Sequence, residues 1–183
     1  MKQEVASFLD YVAHSPTVFQ ATQQACDMLD AAGFTRLSEH EAWEILPGGR
    51  YYVTRNRSAL VAFAVPENGF THCQIVASHG DSPTFKLKAH AEGEAAGAYI
   101  RLDVEPYGGM IMSTWFDRPL SIAGRALVRE DGRLVTRLID LDRDAALIPN
   151  MPIHFNRDIN SGYSYNPQTD MLPLFGGKDA KGA

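Results

Sequence analysis

Residues 74–78, QIVAS, constrain the fold more than any other stretch, because Ile75, Val76 and Ala77 are apolar and consecutive. A run without polar alternation has no face suited to water, so it predicts a strand covered on both sides, as at the centre of an α/β sheet. The strand leads directly into His79, Gly80, Asp81, Ser82 and Pro83. Residues two apart in extended backbone point to the same side. His79 and Asp81 therefore project together from the strand's carboxyl end, and Gly80 leaves room for a ligand or metal to approach the backbone. Open α/β sheets bind ligands at that edge.

The neighbouring segments fit a mixed α/β chain. Val5, Phe8, Leu9 and Val12 recur at helical spacing. Ser15 and Pro16 then offer an N-cap and a first helical residue for a second helix with Val18, Ala21, Ala25 and Met28 on its apolar face and Gly33 at its end. YYVTR and ALVAFAV read as two strands joined by Asn56, Arg57 and Ser58. Phe85 and Leu87 alternate with two lysines, predicting a half-exposed strand, whereas HAEGEAAGA follows neither period and predicts a flexible boundary. Beyond it, YIRLDVE, GMIMSTW, LSIAGRALVRE and RLVTRLIDLD predict strands, with Asp131-Gly132 as the turn of a hairpin. Residues from Asn150 onward predict irregular structure.

Charge and cysteine usage narrow the function classes. Seventeen Lys and Arg against 22 Asp and Glu give a net charge of −5 with no basic run beyond Arg55-Asn56-Arg57, which argues against a nucleic-acid partner. The first residues carry acids where a signal peptide is apolar, and no stretch is apolar for about 18 residues, arguing against export and membrane spanning. Cys26 and Cys73 belong to no metal spacing and lie among apolar neighbours, so they read as reduced core thiols of a cytoplasmic protein.

The chemistry candidates are few. His79 with Asp81 suits a metal site in which the carboxylate orients the imidazole, although the pair alone reads more readily as a loop cap and an Asx turn before Pro83. Zinc needs at least three protein ligands even in an open site, so His79 requires partners from elsewhere. Gly80-Asp81-Ser82 could instead mark a serine hydrolase. That reading fails because the chain has no Asp-x-x-His pair and Pro83 pushes Ser82 toward extended backbone. His14 ends the first helix, where it suits the dipole, and His40 between two glutamates reads as solvated. His72 lacks metal spacing, and His90 falls in the flexible boundary. His154, between Ile153 and Phe155, reads by itself as a satisfied, partly buried histidine. Trp115, Phe116, Asp117 and Arg118 read as an aromatic corner braced by the neighbouring Asp-Arg pair.

Six segments in order resemble the M18 family of zinc aminopeptidases, which includes the aspartyl aminopeptidases: SPTVFQAT, AGFTRLSE, PGGRYYVTRNRSALVAF, SHGDSPTFKLK, YGGMIMSTWFDRPLSIAGR and IPNMPIHFNRDIN. The resemblance implies part of a metallopeptidase α/β domain over residues 1–92, followed by a β-rich dimerisation domain over residues 93–183. It implies that His79 binds zinc and that Asp81 supports the metal site as a catalytic residue. It also implies that His154 reaches toward an active site, the partner's in a dimer, and there touches substrate or adds a metal ligand. The implied function is release of N-terminal amino acids from peptide substrates. Paired zinc ions would hold the α-amine, polarise the first carbonyl and lower the pKa of a bridging water, and a glutamate would act as general base. Family members run to more than twice this length and carry their remaining ligands and general base beyond the similar part. The expectation is therefore that the 183-residue chain alone lacks turnover. The alternative is a non-catalytic fragment that assembles, with itself or with longer subunits, through the β-rich domain.

Overall fold

Both amino-terminal helices form where the apolar spacing places them. The computed structural model describes residues 2–182. α1 spans Gln3–Ala13 and α2 Val18–Ala31, followed by strands β1 (Thr35–Leu37), β2 (Arg50–Arg55) and β3 (Ala59–Ala64). Next come β4 (Thr84–Ala95), β5 (Tyr99–Tyr107), β6 (Pro119–Leu120) and the hairpin β7 (Ala123–Glu130) and β8 (Arg133–Asp140). β9 (Ala146–Leu147) and β10 (Leu174–Gly177) complete the strands. The chain divides into two compact units, Met1–Ser82 with Ala123–Asp140, and Pro83–Ile122 with Leu141–Ala183.

In the first unit the cap of α2 falls two residues later than expected. Thr17, not Ser15, is the N-cap, and its Oγ1 accepts the Phe19 N–H at 3.2 Å. The Ser15 hydroxyl is buried without a partner, and Pro16 lies ahead of the helix. The other end follows expectation. Gly33 takes φ +78°, its N–H donates to the Asp30 carbonyl, and Phe34 N–H donates to Leu29, a Schellman closure. β1, β2 and β3 form one sheet in that order, β1 parallel to β2 and β2 antiparallel to β3. Tyr51 and Tyr52 of β2 and Ala21 and Cys26 of α2 are the buried hydrophobic residues of this unit. Tyr52 Oη donates to Asp30 Oδ1 at 2.7 Å, and burial together with that bond pushes the phenol up to about 12. Burial likewise raises the Cys26 thiol. Cys73, by contrast with the sequence reading, is exposed.

The β7–β8 hairpin turns on Asp131 and Gly132 at φ +48° and +78°, as the Asp-Gly pair requires. It belongs to the first unit, where the buried Gln20 of α2 donates to the carbonyls of Ile139 (2.9 Å) and Gly124 (3.4 Å). No feature of its sequence distinguishes this hairpin from the strands of the second unit.

The second unit is a five-stranded sheet of order β4-β5-β10-β9-β6. Alternation in YIRLDVE buries Ile100, Leu102 and Val104. Phe116, Ile148 and Met171 form a second cluster, flanked by Phe85, Met112, Trp115, Leu120 and Tyr165. HAEGEA is strand, not flexible boundary: Glu92–Ala95 pair with Tyr99–Leu102 after a bulge that follows Leu87, and Ala96-Gly97 makes the turn. The paired neighbour, not the strand's own period, sets its conformation. The point between residues 92 and 93 thus lies inside β4. GMIMSTW is not a strand either. Met112–Trp115 form a 3-10 turn in which the Thr114 hydroxyl donates to the Ile111 carbonyl at 2.8 Å, a local bond that competes with sheet pairing.

The largest departure concerns QIVAS. Residues 71–83 have no regular secondary structure, and Ile75 and Val76 are 82% and 98% exposed. A fully covered strand needs ladder partners and two packed faces, and β3 pairs only with β2 among the described residues.

Candidate functional site

The irregular 71–83 segment still delivers the two predicted side chains to one place. His79 Nδ1 lies 2.7 Å from the Asp81 backbone carbonyl and 3.3 Å from Asp81 Oδ1. A carbonyl oxygen can only accept, so Nδ1 carries a proton and donates; in the neutral imidazole the lone pair is then on Nε2. The imidazole is 83% exposed, so Nε2 faces solvent. The expected same-side placement of residues 79 and 81 is present without a strand. Gly80 is not needed for space in this arrangement, since a Cβ there would meet only Val18 Cγ2, at an ordinary 3.8 Å.

His154 lies in the second unit and is exposed rather than partly buried, on a turn in which Phe155 N–H and Asn156 N–H both donate to the Pro152 carbonyl. The approach to that turn is fixed by Asp117. Its N–H donates to the Ile148 carbonyl at 2.9 Å, its Oδ1 accepts the Asn150 N–H at 2.9 Å, and Phe116 bridges to Ile148 in parallel register. Asp117 takes φ +55°, a left-handed conformation that Asp tolerates better than most residues. Its side chain thus clamps the loop that carries His154. Arg118 instead directs Nη1 toward the Thr114 carbonyl at 3.5 Å. No sequence pattern announced that clamp, because its partners are 33 residues apart.

The donor chemistry at residues 79 and 81 suits a zinc ion in part. A neutral imidazole with its second nitrogen anchored is the ordinary form of a zinc-binding histidine. Among the described residues, however, no group of three or more His, Cys, Asp or Glu side chains is placed to hold a metal.

Comparison with known proteins covers almost the whole chain. The family model described as aminopeptidase I zinc metalloprotease (M18) matches residues 11–181. A probable M18 family aminopeptidase 2 of Clostridium acetobutylicum is 43% identical over 96% of this chain and 42% of its own length. Aspartyl aminopeptidase 1 of Schizosaccharomyces pombe is 44% identical over 92% of this chain and 37% of its own length. The fold superposes on a chain of the Ape4 and Nbr1 complex with TM-score 0.89 and 40% identity, covering 96% of this chain and 34% of that one. Against Chaetomium thermophilum mApe1 the TM-score is 0.84 at 32% identity, over 94% and 40% of the two chains. A Saccharomyces mApe1 described as a dodecamer aligns with TM-score 0.76 at 27% identity, over 94% and 38%. The chain thus spans about two fifths of the length of the curated relatives it matches.

Proposed function

This chain belongs to the M18 family of aminopeptidases, and on that footing we propose that it forms part of a zinc-dependent exopeptidase that releases N-terminal amino acids from peptides. The observation that carries the reading is His79 itself: Nδ1 is held by Asp81, and the imidazole is exposed. His79 is the zinc ligand. Asp81 holds the imidazole in the ligating tautomer through its carbonyl and adds negative charge beside it. His154, raised on the turn behind the Asp117 clamp, contacts substrate or adds a ligand. Zinc, as two ions in the complete enzyme, would supply Lewis acidity toward the peptide carbonyl and its attacking water. The residues of this chain bind and orient.

In this reading the β-rich residues from 93 onward carry subunit association, and the enzyme is a homo-oligomer, as the dodecameric description of one structural relative supports. Two free thiols agree with a cytoplasmic location. Among the described residues no helix is long and apolar enough to cross a membrane.

A second reading, a non-catalytic assembly piece, is favoured by the exposed apolar faces of α1 and of residues 75–76. Two measurements separate the readings: zinc content by elemental analysis, and release of an amino acid from aminoacyl anilides. The chain alone is expected to hold no stoichiometric zinc and to show no turnover. Mixed with a separately made polypeptide covering the rest of a relative's length, it is expected to gain both, and His79→Ala to remove both. Equimolar zinc with activity in the chain alone would overturn the partial-site reading. Stable complexes that never gain activity would establish the assembly reading.

A further inference from the structure

Three hairpins in this chain close on two consecutive residues with positive φ: Asn56-Arg57 (+52° and +53°), Ala96-Gly97 (+48° and +67°) and Asp131-Gly132 (+48° and +78°). Such turns favour glycine at the second position, and two of the three have it. The β2–β3 turn has Arg57 there, although Ser58 N–H still closes on the Arg55 carbonyl at 3.1 Å. Arginine is disfavoured in this left-handed conformation, and strain of this kind is tolerated where a side chain is wanted in one place.

That place is a cavity of about 400 Å3 lined by Arg57 together with Arg36, Ser38, His40, Thr54 and Asn56. Arg36 arrives on β1, whose parallel register sets it opposite Tyr52, and its Nη2 lies 3.4 Å from Thr54 Oγ1. Arg125 reaches the same turn from β7. Its Nη1 donates to the Asn56 carbonyl at 2.8 Å and to Asn56 Oδ1 at 3.1 Å, while its guanidinium lies over the Phe19 ring at 4.1 Å. Two arginines from separate segments, Arg36 and Arg57, thus line the cavity, and Arg125 braces its Asn56, in a chain whose net charge is −5.

The lining also holds two acids. Glu39 is neutralised by Arg55, with Oε1 2.8 Å from Nε and 2.7 Å from Nη2. Glu41 is the other. No carboxylate partner of Arg36 or Arg57 is seen among the described residues, and the hydroxyls of Ser38 and Thr54 stand in the same wall. We propose that this cavity binds a phosphate group, either free inorganic phosphate or a small phosphomonoester. Planar guanidinium forks match phosphate oxygens, and the hydroxyls add neutral donors. Glu41 disfavours deeper negative charge and keeps the affinity modest. The inference owes nothing to the metal-site reading.

Isothermal titration of the purified chain at constant ionic strength tests it, with inorganic phosphate, glycerol phosphate and sodium chloride as the three titrants. Saturable heat with inorganic phosphate or glycerol phosphate, and none with chloride, is expected, and the tighter of the two identifies the source. Arg57→Gly relaxes the turn and keeps the fold by circular dichroism, yet weakens phosphate binding about tenfold, the loss of one charge-assisted contact. Arg36→Gln weakens it in the same direction, whereas Arg118→Gln in the second unit leaves it unchanged. Phosphate heats no different from those of chloride, or an Arg57→Gly chain that binds as tightly as the parent, would overturn the proposal.

Discussion

Asp117 does at the scale of one residue what an entire turn usually does. It accepts one backbone N–H, donates its own, and holds φ at +55° in an exposed position. Asp117→Ala removes the acceptor and puts a poorly suited residue in left-handed backbone, so a loss of about 1–2 kcal/mol in urea unfolding is expected. Asp117→Asn keeps both the acceptor and the backbone tolerance, and it should lose less than half of that. Asp170 is a second anchoring carboxylate. Burial pushes its pKa up, but bonds from the Asn166 N–H, the Thr169 hydroxyl and the Tyr163 phenol outweigh this and hold it below its ordinary value. A carboxyl depressed in the folded state adds stability above its unfolded pKa, about 3.9, and that stability is lost as pH falls through the lower folded value. Urea midpoints measured from pH 5 down to pH 2.5 should therefore decline more steeply for the parent than for Asp170→Asn.

Elements whose signals are local were legible in the sequence. Both helices, the β2–β3 and β7–β8 hairpins and the Gly33 closure follow from apolar spacing, turn residues and a glycine at positive φ. Elements set by distant partners were not. HAEGEA becomes strand because YIRLDVE lies beside it, and QIVAS stays irregular because no strand among the described residues pairs with it. The site divides in the same way. His79 and Asp81 meet through a two-residue contact readable from spacing, whereas the Asp117 clamp and the arginine cluster depend on contacts across 33 and 69 positions. The attachment of the β7–β8 hairpin to α2 is also non-local and rests on a nameable bond. Gln20→Met keeps the side chain's length but deprives the Ile139 carbonyl of its donor. A loss of about 1–3 kcal/mol is expected, with faster amide exchange along β8 and little change in the second unit's sheet. Uniform loosening of both units would show that the hairpin is held by something else.

At the scale of the molecule the exposed surface is the dominant fact. Part of it is apolar and continuous within elements. Val5, Phe8, Leu9 and Val12 are all exposed on α1, which buries no residue, and Ile75 and Val76 are the two most exposed large hydrophobic residues. Monomeric proteins rarely leave contiguous apolar patches of this kind uncovered. The expected behaviour is association, either of the chain with itself or with further polypeptide of the family's greater length. In sedimentation velocity the isolated chain should therefore run as species larger than 20.2 kDa. Phe8→Lys combined with Val76→Asp should shift the distribution toward monomer while leaving the far-ultraviolet circular dichroism unchanged, because neither side chain is part of a buried core. A parent chain that stays monomeric across the concentration series would mean that this apolar surface is tolerated in water, and the assembly reading would lose its physical basis.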